Sequence, residues 1–272
     1  MSNFSLKASL KLTGFDLKNN RRQIFGWSIA MFAIMFMYMI LFPSMQDMVK
    51  MKMDAMPKEL LQLFGMEDFG GLGNFVNYFG MIFNIIIVAI SIFAVTFSAN
   101  LLYREEKTKT IEFLYSLELS RGEIFVSKLI TAFTAVLAVL VSSAVSTVIC
   151  GAINGGETFV LADVMQIVKI SGFSAVFFMS VALLLAGVTA KVGVSSVGSM
   201  TVLALYMLGY LSKLLEDKLG WLSNFSPFEV FAPEKALSLG SSTMSALAVY
   251  FGIMAVFLFA GAFVYKRRDF NI

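Results

Sequence analysis

Six long apolar stretches constrain the fold of this chain more than any other feature. A helix needs about 20 apolar residues to cross the roughly 30 Å hydrocarbon core of a membrane. The stretches long enough to do so are 24–42, 78–102, 129–149, 167–190, 192–211 and 244–265. Hydrocarbon offers backbone amides no hydrogen-bond partner, so stretches of this length are helical. The sequence therefore predicts an all-α integral membrane protein, with six transmembrane helices in one transmembrane domain, 1–272.

The composition agrees with a membrane protein. Hydrophobic residues make up 58% of the chain and charged residues only 14%, whereas a soluble domain carries about 25% charged residues. The first stretch begins beyond residue 20 and five more follow, which favours a retained helix over a cleaved signal peptide. Only Lys191 clearly divides the fourth stretch from the fifth, but Gly187 and Gly193 nearby suit a tight turn.

Several chemistries are excluded by what the sequence lacks. It has no histidine and one cysteine, Cys150, so it can form neither an internal disulfide nor a hydrolytic zinc site, even beside the paired Glu105 and Glu106. It also lacks the Gly-x-x-x-x-Gly-Lys-Ser/Thr loop that cradles phosphates. We therefore expect no catalytic residue, metal or cofactor in this chain, and no nucleic-acid partner.

The distribution of basic residues predicts the orientation. Lysine and arginine concentrate in the first 23 residues, in the segment 103–128 and in the tail 266–272. Basic residues favour the cytoplasmic side of a membrane. We therefore expect a multi-pass protein of a bacterial plasma membrane with both termini in the cytoplasm, and outer segments at 43–77 and 213–242.

Two segments outside the spans have helical patterns. Leu6, Leu10, Thr13 and Leu17 recur at helical spacing beside several lysines, which predicts an amphipathic helix within 1–23 that lies on the inner membrane surface. The aromatic outer segment between spans 5 and 6 is interrupted by two prolines. It predicts short interfacial or re-entrant helices there.

The segment 103–128 is charged and then amphipathic. Its polar helix face carries Glu105, Lys109, Glu112 and Ser116, and its other face is largely apolar. This segment is too short and too charged to cross a membrane. It suits a helix on the inner membrane surface, a helix in the groove of a partner protein, or a solvated loop.

The sequence REEKTKTIEFLYSLELSRGEIFVSK resembles the inner loop of ABC-2 type permeases, the membrane subunits of a class of ATP-driven exporters. Lys109 stands where that family commonly has glycine, and Glu118 where it often has proline. The SPF motif at 226–228 and the YKRRDF ending extend the resemblance over most of the chain. The loop positions that match are Glu106, Thr110, Glu112, Leu114, Ser120, Arg121 and Lys128.

The resemblance implies that the loop between spans 2 and 3 is a coupling helix, which seats in a cleft of a separate ATPase subunit. ATP and Mg would be used by that partner, and two permeases, identical or paralogous, would assemble with two ATPases in the lipid membrane. The expected cargo is hydrophobic or amphipathic: an antimicrobial peptide, a drug or a lipid-like molecule. The residues that would couple the two subunits are Glu106, Thr110, Ile111, Glu112, Phe113, Leu114, Leu117 and Arg121.

Other functions remain open at this point. A stand-alone channel or secondary carrier normally has ionisable groups inside its spans, and here Asn84 is the main strongly polar residue at depth. It is a candidate for the substrate path, although an interhelical hydrogen bond is the simpler interpretation. A peptide-sensing or immunity complex is a further alternative. Copper export is a remote one, based on thioethers that do not share one helix face: Met45, Met48, Met51, Met53 and Met56.

Overall fold

The computed structural model describes residues 6–55, 71–107, 119–189, 193–238 and 240–267. Every regular element within these ranges is helical, and six helices are long and apolar enough to cross a membrane. The predicted all-α fold with six spans is therefore confirmed. The fourth and fifth spans are separate helices that end and begin at Val188 and Val194.

The helices are numbered in chain order. They are α1 (Leu6–Ile40), α2 (Phe42–Ala55), α3 (Phe75–Lys107), α4 (Arg121–Asn154), α5 (Leu161–Val188), α6 (Val194–Leu214), α7 (Glu216–Leu219), α8 (Pro227–Val230), α9 (Pro233–Leu237) and α10 (Ser241–Arg267). At 1.5 Å per residue α3 and α4 are each about 50 Å long, so both extend well beyond the hydrocarbon core.

The bundle is built around α3 and α5, the two most deeply buried spans. Phenylalanine fills much of this core, including Phe79, Phe83 and Phe93 of α3 and Phe178 of α5. α1 packs along α4, α10 packs on α5, and α6 lies against α3. The three helices α1, α6 and α10 are peripheral and expose most of their surface.

The N-terminal segment differs from its prediction. Residues 6–23 are helical, but they continue without a break into the first span, so they are not a separate interfacial helix. Leu6 and Leu10 are exposed, whereas Ser9, Thr13 and Asp16 are buried. The physical reason is that this polar stripe has partners on α4. The spacing of residues within the segment cannot predict partners on another helix. The segment also contains no proline that would end the helix before the first span.

The short helices predicted between spans 5 and 6 are present, and they fold back into the bundle. Pro227 and Pro233 each stand in the first turn of a short helix, where proline is tolerated. Phe228 and Phe231 are buried. The hydroxyl of Ser174, in the middle of α5, donates to the Pro227 carbonyl at 3.4 Å. The segment therefore enters the helix bundle and does not simply cover its end.

The bundle has two distinct ends. At one end, called here the terminal end, α1 starts and α10 ends, and Arg121 of α4 donates to the Lys266 carbonyl of α10 at 3.1 Å. At the far end, the amide of Phe75 donates to Thr158 Oγ1 at 3.2 Å. There Gln166 also donates to the Ala236 carbonyl at 2.7 Å. The ends of the loop between α3 and α4 therefore lie at the terminal end.

Candidate functional site

The structure gives the frame of the predicted coupling loop. Glu106 lies in the last turn of α3 and Arg121 is the first residue of α4. The remaining predicted coupling residues fall outside the described residues, so their role stays a prediction: Thr110, Ile111, Glu112, Phe113, Leu114 and Leu117. What the structure shows is how the two helices that carry the loop are held.

A capping box fixes the point at which the chain leaves the loop and enters α4. The amide of Glu123 donates to Ser120 Oγ at 3.3 Å, and the Glu123 carboxylate accepts from the Ser120 amide at 2.7 Å. Both residues satisfy amides that the first turn of a helix leaves free. The cap sets the start and direction of α4.

A buried ion pair joins α1 to the second turn of α4. The Lys128 ammonium lies 3.0 Å from Asp16 Oδ2 and donates to Asp16 Oδ1 at 3.1 Å. The two side chains are only 1% and 6% exposed. One turn earlier on α1, the Thr13 hydroxyl lies 3.2 Å from Ser127 Oγ. Because an isolated buried charge is costly, each member of this pair requires the other.

Arg104 joins α1 to the last turns of α3. Its guanidinium donates to Asn20 Oδ1 at 3.2 Å. With the Asn19 amide turned so that its oxygen faces the guanidinium, that oxygen accepts at 2.9 and 3.1 Å. α1 therefore contacts both helices that flank the loop. We call this set of residues the terminal cluster: Thr13, Asp16, Asn20, Arg104, Arg121, Ser127 and Lys128.

A second polar group lies at the far end, where the short helices enter the bundle. Glu229 of α8 is buried, and Lys213 of α6 lies 3.3 Å from its carboxylate and 3.6 Å from that of exposed Glu234. α8 also packs tightly on α6, because a Cβ atom at Gly209 would lie 2.6 Å from Ser226 Oγ. The ion pair and the close packing together hold α8 against α6.

Asn84, the predicted substrate-path residue, lies on α3 in the far half of the bundle. Its side-chain oxygen is buried and has no hydrogen-bond partner among the described residues, and the same holds for the Ser171 hydroxyl of α5. α3 and α5 run in the same direction, and Gly80 packs on Ile167. Asn84 and Ser171 each follow four residues later, so they lie at the same level. The Asn84 oxygen therefore makes no interhelical hydrogen bond within the part of the chain that the structure describes.

The sequence matches one family model, described as the C-terminal domain of the multidrug efflux system permease Rv1217c, over residues 11–266. The match runs from the N-terminal turns of α1 to the last turn of α10. The chain belongs to this multidrug efflux permease family. No curated protein matches it.

Family membership makes this chain a membrane permease, a transport component that acts in drug export. An efflux system also implies partner components. The matched range contains the whole terminal cluster of the permease, together with Asn84 and the far-end ion pair. Among the described residues, no group of three or more acidic, histidine or cysteine side chains is placed to hold a metal ion.

Sequence reasoning missed two features of the permease. The Asp16–Lys128 pair joins residues 112 positions apart, which no local pattern reveals. In the sequence, Lys128 stands out only as one of the basic residues of 103–128 and as a position that matches ABC-2 permeases. The far-end pair lies outside the apolar stretches, although Glu229 within the aromatic sequence FSPFEVFA is a signal that could have found it. An acidic residue that stands between two prolines and among three phenylalanines indicates a buried carboxylate.

Proposed function

We propose that this permease is the membrane subunit of an ABC exporter, in which a separate ATPase subunit drives the efflux of hydrophobic or amphipathic compounds. Family membership supports drug export. ATP coupling is the further step, and the observation that carries it is the terminal cluster. That cluster connects α1, α3, α4 and α10 around the two ends of the loop 108–118.

The cluster gives a physical route for coupling. A partner that pushes on the loop would move the end of α3 and the start of α4. Arg104 and Lys128 would then carry α1 with them, and Arg121 would carry α10. A local displacement would become a rearrangement of four spans, because packed elements with fixed contacts move as units.

In this proposal the loop supplies the contact with the ATPase. Ile111, Phe113, Leu114 and Leu117 would be buried in its cleft, and Glu106, Thr110, Glu112 and Arg121 would orient it. ATP and Mg would bind to the ATPase, whose closure would push the loop. Two permease copies, or this chain and a paralogue, would assemble with two ATPases.

The cargo in this proposal is an amphipathic drug, an antimicrobial peptide or a lipid-like molecule. The spans present apolar surface almost everywhere. The Asn84 oxygen and the Ser171 hydroxyl, both buried without partners among the described residues, would offer hydrogen bonds to a polar group of the cargo. A buried polar atom without a partner is costly, so a cargo that supplies one is favoured.

Leu114→Asp tests the coupling step. It places a charge on the predicted contact face, so we expect the protein to insert but to lose its ATPase partner and ATP-dependent drug transport in inverted membrane vesicles. Co-purification identified by mass spectrometry measures the first effect and drug uptake the second. Leu237→Asp, at the far end, is the matched control and should keep the partner.

Normal transport by Leu114→Asp would contradict the coupling proposal. So would a wild-type protein that leaves native membranes without any ATPase under gentle detergent extraction. A stand-alone carrier is the second candidate, favoured by the unpartnered Asn84 oxygen. In that case transport would continue without ATP and would fall in Asn84→Ala.

A further inference from the structure

A long apolar groove runs between α4 and α5 on the surface of the bundle. On the α4 side, every fourth residue forms an exposed wall: Phe133, Leu137, Val141, Val145 and Ile149. From the first to the last of these the groove is about 24 Å long. Its volume is about 710 Å³. Its floor consists of small or deeply buried residues, among them Val136, Ala144 and Gly172.

One charged side chain lines this groove. Lys169 of α5 is exposed and lies eight residues after the start of the helix, about 12 Å along it from the far end. No described carboxylate lies within ion-pair distance of it. The other strongly polar lining residue, Gln166, already donates to the Ala236 carbonyl at 2.7 Å. The groove therefore combines an apolar trough with a single available cation.

We propose that this groove binds one acyl chain of an anionic phospholipid, whose headgroup pairs with Lys169. A lysine on a lipid-facing helix extends its ammonium toward the headgroup region, and its methylene stem lies along apolar surface. An anionic phosphate completes this arrangement, since basic side chains near a membrane surface attract anionic lipids. The trough below Lys169 receives the chain.

The size of the groove, about 710 Å³, suits one acyl chain. It falls within the roughly 300–1,000 Å³ typical of sites that hold one small, mainly apolar ligand. A docked apolar helix would cover the Lys169 ammonium without neutralising it.

Lipid binding in this groove is independent of whether an ATPase drives the permease. It would tie α4, the helix that begins at the predicted coupling loop, to α5 in the core of the bundle. The experiment therefore measures lipid binding alone, so its outcome says nothing for or against ATP coupling.

The test uses the full chain in nanodiscs that contain equal amounts of phosphatidylglycerol and phosphatidylcholine with identical acyl chains. Native mass spectrometry after release counts the lipids that remain bound. We expect one phosphatidylglycerol to be retained in preference to phosphatidylcholine. Lys169→Gln should lower that retention about fivefold and remove the preference, since one basic residue contributes an attraction of about that size.

Two further variants distinguish recognition of the lipid headgroup from binding of its acyl chain. Lys218→Gln removes an exposed lysine of α7, outside the groove, and should leave retention unchanged. Ala144→Phe fills the floor and should lower the retention of both lipids. Because Lys169 is exposed, Lys169→Gln should fold normally. It therefore tests the lipid-binding proposal even if Ala144→Phe does not fold.

Unchanged retention in Lys169→Gln, or an equal loss in Lys218→Gln, would overturn the proposal. A dimer whose copies become cross-linked through cysteines placed at Leu137 would do the same, since a second chain would then cover the groove.

Discussion

Asp16 and Lys128 carry opposite charges in a place where water reaches neither of them. Replacing such a pair with apolar residues is often neutral, whereas removing one member leaves a buried charge with no counterion and costs about 3–5 kcal/mol. The pair therefore fixes which surfaces of α1 and α4 meet. We expect it to contribute more to the specificity of this helix contact than to net stability.

Single substitutions in this pair should destabilise the permease more than the double substitution does. We expect Asp16→Asn and Lys128→Met each to lower the thermal unfolding temperature in detergent, because each leaves one polar group unmatched. The double variant should recover part of the loss, and the difference is the coupling energy of a double-mutant cycle. Lys11→Met, at an exposed lysine of the same helix, is the control. Purely additive losses would contradict a direct interaction.

At the scale of helices, close packing depends on glycine at particular crossings. A Cβ atom at Gly187 of α5 would lie 3.0 Å from the Gly261 carbonyl oxygen of α10. One at Gly209 of α6 would lie 2.9 Å from Glu229 Cγ and still closer to Ser226. Lipid provides no strong hydrophobic driving force between helices, so close contacts of this kind contribute much of the free energy of helix association. Gly252 of α10, in contrast, has open space around it.

The same change, glycine to alanine, should therefore have opposite effects at two positions. Gly209→Ala should destabilise the protein by about 1–3 kcal/mol, since α8 must shift to admit the methyl group. Gly252→Ala should stabilise it by about 0.5–1 kcal/mol through helix propensity alone. Thermal unfolding in detergent compares the two. Equal shifts of the same sign would show that α8 does not pack on α6 as described.

How much was predictable differs between helices and their ends. The six spans follow from local apolar length, because a helix in lipid satisfies its own backbone. The ends of the helices were harder to predict. For example, α4 begins at Arg121, eight residues before its apolar stretch, because Arg121 and the Ser120 cap have hydrogen-bond partners there. The burial of the polar stripe on α1 was missed for the same reason. Contacts with residues distant in the sequence determine both the start of α4 and the burial of the polar stripe on α1.

The candidate site was predictable only in part. The resemblance placed Arg121 and Lys128 at the loop, and the structure shows that both also bind other helices. The apolar contact residues of the loop remain a prediction. Asn84 was found because a lone amide among apolar residues stands out. Ser171 beside it was not, since serines in membrane helices usually bond to their own backbone, as Ser91 and Ser98 do here.

At the scale of the whole molecule, the orientation in the membrane remains a prediction from charge. In a Cys150→Ser background, a cysteine at Lys109 should react with a membrane-impermeant maleimide only from the cytoplasm. A cysteine at Lys218, exposed at the far end, should react only from outside, because basic segments stay inside. Labelling of intact cells and of inverted vesicles measures this. The reverse pattern would place the termini outside.

The continuous N-terminal helix also sets an order of events during synthesis. Asp16 leaves the ribosome 112 residues before Lys128, which at roughly 5–20 residues per second is a delay of about 6–22 seconds. By the end of that interval α1 and α3 have both been made, while the carboxylate of Asp16 has not yet had Lys128 to pair with. A nascent chain halted before residue 128 would therefore leave the polar stripe of α1 uncovered and the Asp16 carboxylate without its counterion.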